Sequence, residues 1–445
     1  MPSREQVTRI AIGVVRFTPR IAIYLLLLYL PLGVEVWDDF KKCPGGELNW
    51  SKYLSAAPFG YQRLTTSSHR SPRPHSVKIV SLAKQQEPDE IFPPHFCRQR
   101  LFMAKLLKRI ETAHPAVIVI DKYFSSAACG ENEPNEQLRN SVVASPVPII
   151  VGLQTLTKRD LERETHLTEA EKKAFGDTCL VLAPAFKFDD ADLPSRVKYG
   201  LTRLNRDTRK IPLEWPVYGK PRDLERGKPY LMPTLSLVAA EQFEQRMPHA
   251  QVLNELLSQR KHPFTGFLNE IPTISAIEVL CGKKPGRDPN WENCETDVSV
   301  DDAELRNRIV IIGEFGNKDD LHESVIGEVP GVVLQANYVE SLLDDRYLRS
   351  VNKWITLLVN LLWVCIVEAC FALSSSPKRA AFYSLASVLL LGVVCYLIVF
   401  YGYFLPVWVQ TVWLLLIGLR WAEAERENLR QWIRQHHGNR VREAE

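Results

Sequence analysis

At 445 residues the chain is long enough for two average domains, and 46% hydrophobic with 24% charged residues match a folded protein rather than a disordered one. A formal net charge of +3, scattered along the chain, excludes nucleic acid as an expected partner. The average conceals a segregation: four apolar runs, at residues 21–37, 354–373, 380–400 and 404–421, stand apart from the rest. Each is near the roughly 20 residues that cross about 30 Å of hydrocarbon.

In chain order, residues 1–20 carry Arg4, Arg9, Arg16 and Arg20 ahead of the first run. That run contains Pro31 and Glu35, and it reads as an anchor or a signal peptide. No small-x-small cleavage site precedes Trp37, which favours the uncleaved anchor. Residues 38–75, with "SSHRSPRPHS", read as an irregular lead-in. "SVKIVSLA" predicts a strand, and "CRQRLFMAKLLKRIETAH" a helix with its apolar stripe at Met103, Leu106, Leu107 and Ile110. "AVIVID" predicts a buried strand ending at Asp121, followed by a helix over about 135–143 that leads into "PVPIIVGL".

"TCLVLAP", "YGLTRL" and "KIPLEW" read as successive strands. Helices are expected over about 234–246 and 273–280, then a strand "RIVIIG" and a helix "VVLQANYVESLL". Apolar strands alternating with amphipathic helices predict a layered α/β domain over residues 76–350, its mixed or mainly parallel sheet covered on both faces. No Gly or Pro interrupts residues 337–354, so the last helix is expected to hand movement directly to the apolar run at Trp354.

Charge sets the expected orientation. Lys378 and Arg379 sit between the second and third runs, and Arg420, Arg426, Arg430 and Arg434 follow the fourth, while residues 401–403 are uncharged. Positive residues stay cytoplasmic, which places both termini inside and residues 38–353 outside. Within the runs, Asn360 and Glu368 share a face two turns apart and Gln410 lies on the fourth. Interhelical polar packing or a proton or ion relay fits such residues, and the position of Glu368 near the cytoplasmic end favours packing. The tail, residues 422–445, continues as a basic helix with Leu429, Trp432, Ile433 and His436 on a narrow apolar strip that suits lipid, a coiled coil or a docking partner.

Three cysteines, Cys365, Cys370 and Cys395, fall in apolar runs, and six lie outside. Of these Cys281 and Cys294 bracket the polar loop "CGKKPGRDPNWENC", a disulfide candidate in an oxidising compartment. Asp121, at a strand end, fits either a ligand contact or a cap on the following turn. Asp319, Asp320 and His322 form a compact acidic cluster without a second His or Cys at metal-site spacing. A solvated loop with local hydrogen bonds is expected there, Asp320 and His322 remaining ligand candidates, with no metal and no cofactor. The chain has no G-x-S-x-G, G-x-x-x-x-G-K-[ST] or G-x-G-x-x-G motif, so no enzymatic activity is expected.

These pieces, in this order, resemble the type 2 cyclase/histidine-kinase-associated sensory extracellular domain, CHASE type 2. The resemblance is carried by "AVIVIDKYF", by "YGLTRLNRDTRKIPL", by "YLMPTLSLVAAEQF", and most specifically by Gly313, Asp320-x-His322-x-Ser324, Gly327, Pro330-Gly331 and Ala336-Asn337. Val325 stands where the family often has proline and Gln335 where it often has histidine. The family pairs this domain with membrane helices and usually with a cytoplasmic output module, which is not expected within residues 422–445. The resemblance therefore implies a multi-pass sensor in a bacterial plasma (inner) membrane. It would detect a small ligand or an envelope protein outside and signal to a separately encoded cytoplasmic or membrane effector, with lipid contacts and a possible homodimer. A scaffolding envelope protein is the alternative, and an envelope enzyme a third.

Overall fold

The computed structural model describes residues 76–82, 93, 95–124, 129, 133–156, 180–183, 188, 197–204, 208, 211–218, 230–244, 264–265, 270–282, 291–294, 302–315, 320–324, 327–343 and 347–350, and scattered positions from 355 to 430. Two compact units divide the chain, one made mostly of residues 62–349 and the other of 350–445 with 1–37 and 49–61.

In the first unit the chain runs β1 (Val77–Ser81), α1 (Phe96–Thr112), β2 (Val117–Asp121), α2 (Glu133–Val143), β3 (Ile149–Leu153), β4 (Thr155–Leu156), β5 (Val181–Leu182) and β6 (Val197–Leu201). It continues through β7 (Glu214–Val217), β8 (Tyr230–Pro233), α3 (Leu235–Glu244), β9 (Phe264–Thr265), β10 (Thr273–Ser275), α4 (Ala276–Cys281) and α5 (Asp302–Leu305). β11 (Ile309–Gly313), the hairpin β12 (Leu321–Ser324) and β13 (Gly327–Pro330), α6 (Gly331–Leu343) and β14 (Tyr347–Ser350) complete it.

Six strands form one sheet in the order β10-β1-β11-β2-β3-β6, and every neighbouring pair is parallel. β1 and β11 are buried along their whole length and β2 up to Asp121, which is why they read as unbroken apolar runs instead of alternating ones. Their side chains still alternate between faces. Val80, Ile118, Ile120, Val310 and Ile312 meet α1, α2 and α4; Val77, Ile79, Val119, Ile309 and Ile311 meet α3 and α6. α1 buries the predicted stripe of Met103, Leu106, Leu107 and Ile110, and ends where His114 turns to φ 51° ahead of Pro115.

Direction explains which helix covers which face. From β1 to β2 to β3 to β6 the chain moves one way across the sheet, with α1 and α2 on the first face. It then returns to the opposite edge at β10 by way of α3 on the second face, and resumes the first direction through α4 into β11. Parallel crossovers are right-handed, so a reversal of direction requires a change of face.

Several expectations are corrected. Residues 273–275 are not the start of a helix but an edge strand: Thr273 and Ile274 pair with Ile79 and Val80, and the helix begins only after Ser275. β5 and β7 do not join the main sheet; they pair antiparallel with β4 and β8. Residues 321–324 pair antiparallel with 327–330, where a solvated loop was expected. The helix at the end of the domain ends at Leu343, as expected; the strand after it, in which Tyr347 and Leu348 pair with Thr265 and Phe264, was not foreseen.

In the second unit, the described positions Ile355, Leu358, Leu362 and Ile366 are helical, three or four residues apart, and exposed; Phe382, Leu389, Leu390, Val393 and Leu397 are likewise helical and exposed. Among the described residues no helix is long and apolar enough to cross a membrane. The apolar run at 21–37, most of that at 404–421, the lead-in at 38–75, and Asn360, Glu368 and Gln410 lie outside the described residues.

Candidate functional site

The strand order creates one distinctive place. After β1 and β2 the chain leaves toward the first face, whereas after β11, which lies between them, it leaves through the hairpin to α6 on the second face. Ligands of open parallel sheets bind beyond the carboxyl ends of the strands where such a divergence opens a crevice.

Three carboxylates gather there. Asp121 is the last residue of β2, in register with Gly313 at the end of β11, and Glu314 follows Gly313. Asp320 stands at the entrance to the hairpin, and its Oδ2 accepts the backbone N–H of Gly331, the first residue of α6, at 3.2 Å. The approach is close: a Cβ on residue 331 would lie 2.6 Å from Asp320 Oδ1. A carboxylate in this position also interacts favourably with the helix dipole. His322 Nε2 lies 3.2 Å from the other oxygen of Asp320. Lys122 Nζ donates to Glu314 across the β2–β11 junction.

The partly buried Asp121 is the exception. Its carboxyl receives no hydrogen bond from a described residue, so no described N–H holds it as a turn cap. Burial, with the negative charges of Asp320 and Glu314 adding to it, pushes the Asp121 carboxyl up to about 8. At neutral pH it holds its proton, and a positive charge arriving beside it would displace that proton.

Asp320 and His322 were legible as a pair from their spacing; the bond from Gly331 to Asp320, across eleven residues, is not the local kind expected there. Glu314 and Lys122 were not legible as parts of the same place. Their proximity depends on β11 inserting between β1 and β2, a non-local pairing that periodicity does not encode. Asp319 lies outside the described residues. Among the described residues no group of three His, Cys, Asp or Glu side chains converges to hold a metal ion.

The other side of the β2 end carries a cavity of about 200 Å³ lined by Phe96, Gln99, Arg100, Tyr123 and Phe124. Arg100 is buried there, donating to Asn135 Oδ1 and Cys129 Sγ and stacking over Phe96. A disulfide joins Cys97 to Cys129 beside it, and a second joins Cys281 to Cys294 with Cα atoms 5.0 Å apart. The spacing of Cys281 and Cys294 marked them as a pair. Cys97 and Cys129, 32 residues apart, meet only because α1 starts where β2 exits.

No curated protein and no solved structure matches the chain. The CHASE2 domain matches residues 62–370, more than half of the chain and beyond the expected 76–350 at both ends. The chain therefore belongs to the CHASE2 family of extracellular sensory domains.

Proposed function

We propose that the protein is a membrane receptor whose CHASE2 domain lies outside the cytoplasm, binds its stimulus at the crevice beside β11, and passes the change across the membrane to an effector. The observation that carries this reading is Asp121: a carboxyl pushed up by burial, with no hydrogen bond from a described residue, at the carboxyl end of a central strand, where the chain diverges to opposite faces. Structural carboxylates in such surroundings are normally hydrogen-bonded, and perturbed ones in clefts concentrate at functional sites.

Three further features support the placement. The two disulfides suit an oxidising compartment. The exposed apolar helical positions from Ile355 to Leu397 suit lipid better than water. The arginines that flank the apolar runs suit termini on the cytoplasmic side. α6 begins at the crevice and the chain then runs through β14, so a shift of the α6 start has a short covalent route toward residue 354.

The test has two parts. Reporter fusions at Glu445 and near Arg287 should report opposite compartments; the same compartment for both removes the receptor reading. A Gly-Ser-Gly-Ser insertion after Arg349 should then abolish stimulus-dependent co-purification of an effector while leaving the fold intact. Unchanged co-purification would make a scaffolding role the better account.

A further inference from the structure

We propose that the crevice binds a small organic cation, an amine or guanidine compound, which donates hydrogen bonds to the buried amide oxygen of Gln335 and to the carboxylate of Asp121; this names the ligand class for the receptor reading above and rests on it. Gln335 sits in the second turn of α6 and is 1% exposed. Its Nε2 donates to the carbonyl of Thr202 at 2.9 Å. That bond fixes the orientation of the amide, because only the nitrogen can donate to a carbonyl. Oε1 is left buried with no hydrogen-bond partner among the described residues. A buried acceptor without a donor is costly and rare, and it marks a place where a donor arrives from elsewhere.

Its location follows from its neighbours. A Cβ placed on Gly152 would lie 2.5 Å from Thr202 Cγ2, 2.8 Å from the Ile120 carbonyl oxygen and 3.6 Å from the Lys122 nitrogen. Thr202 therefore packs against the stretch of β2 that carries Asp121. On α6, Gln335 is one turn beyond Gly331, whose N–H is held by Asp320, and helical side chains slant toward the N-terminus. The amide thus reaches from the second turn of α6 to Thr202, the residue that covers Gly152 beside the end of β2.

The surrounding groups select the ligand. Asp121 and Lys122 come from β2 and its exit, Glu314 from the end of β11, and Asp320 and His322 from the hairpin. Lys122 is matched with Glu314 and His322 with Asp320. Among the described residues, those pairs leave the Asp121 carboxyl and the Gln335 oxygen, two acceptors that ask for N–H groups and a positive charge. The described residues converge on no three-ligand metal set, which favours an organic donor over a bare cation. Burial is the main cause that keeps the proton on Asp121, with the charges of Asp320 and Glu314 adding to it; a cation bound beside the carboxylate opposes both, so binding at neutral pH releases the proton.

The test uses the purified full-length chain in lipid nanodiscs, titrated calorimetrically at pH 7 in two buffers of different ionisation enthalpy. The probes are putrescine and agmatine, with calcium ion and glutamate as competing chemistries. The expected result is saturable binding of an amine or guanidine probe with proton release. Binding should be about tenfold weaker or worse in Asp121→Asn and in Gln335→Met. Asp121→Asn is isosteric and keeps the fold should Gln335→Met not. Binding of calcium or glutamate alone, binding of no probe, or amine binding indifferent to both substitutions overturns the proposal. Those outcomes leave the receptor reading in place if the insertion after Arg349 still uncouples the effector, and that reading falls separately if it does not.

Discussion

The two faces of the central sheet share their strands but are held by different forces. On the first, α1, α2 and α4 pack an apolar layer, and covalent bonds tie Cys97 to Cys129 and Cys281 to Cys294 at its margin. The short 3-10 turn Trp291–Asn293 is clamped onto α1 as well: Phe102 meets Trp291 edge-on, Lys105 lies over that ring, and Arg98 bonds Glu292 at 2.5 Å. On the second face, α3 and α6 bring Gln242, Glu244, Gln335, Asn337, Glu340 and Ser341 into the interior, and no disulfide joins its described residues. A stapled apolar layer has one arrangement. A layer joined by buried hydrogen bonds can exchange one set for another when a charge nearby changes, so the second face is the one suited to carry a response.

Breaking the first face should have the largest effect. Replacing Cys97 and Cys129 together by serine reopens a 32-residue separation and should cost about 4 kcal/mol in the chain-entropy view. The same change at Cys281 and Cys294, 13 apart, should cost about 3 kcal/mol. Denaturant unfolding of the full-length chain measures both; losses well under 1 kcal/mol would show that packing, not covalency, holds this face.

The second face should respond to smaller changes. Glu340 accepts the N–H of Val77 at 2.7 Å, tying α6 to the first residue of β1. Glu340→Leu leaves that buried donor unpaired and should cost about 1–3 kcal/mol. Gly313→Ala tests the contact at the crevice itself: the new methyl would meet Val332 Cγ2 at 2.5 Å, pushing α6 outward at about 1–3 kcal/mol. A Gly313→Ala protein of unchanged stability would mean that α6 is not seated as described. Smallest is Glu278→Ala, which removes the carboxylate accepting the N–H of Ser275 at the start of α4 and should cost about 0.5–1 kcal/mol.

What the sequence made legible divides along the same line. The buried strands at Val77, Val117 and Ile309, the α1 stripe and the α6 helix follow from apolar runs and helical spacing, signals that lie within one element. The edge strand at Thr273 was hidden because three residues are too few for a period of two to show, and the helix behind them has the stronger pattern. The candidate site was half legible: Asp121 and Asp320 were marked, but the crevice joining them depends on β11 entering between β1 and β2. Gln335 stood out only as a departure from a familiar pattern. Its unpaired oxygen is a property of the packed structure, since the Thr202 carbonyl that orients it lies 133 residues away in sequence.

The central claim is that the crevice communicates with the second face and not the first. Hydrogen exchange of the full-length chain at pH 6 and pH 9, corrected for intrinsic exchange, tests it most directly. A carboxyl whose proton is held up to about 8 contributes stability at low pH that is lost as pH rises through that value. Protection in β12, β13 and the first turn of α6 should therefore fall between pH 6 and pH 9, protection in α1 should not, and Asp121→Asn should abolish the difference. Equal loss in α1 and α6, or a loss that persists in Asp121→Asn, would contradict the account.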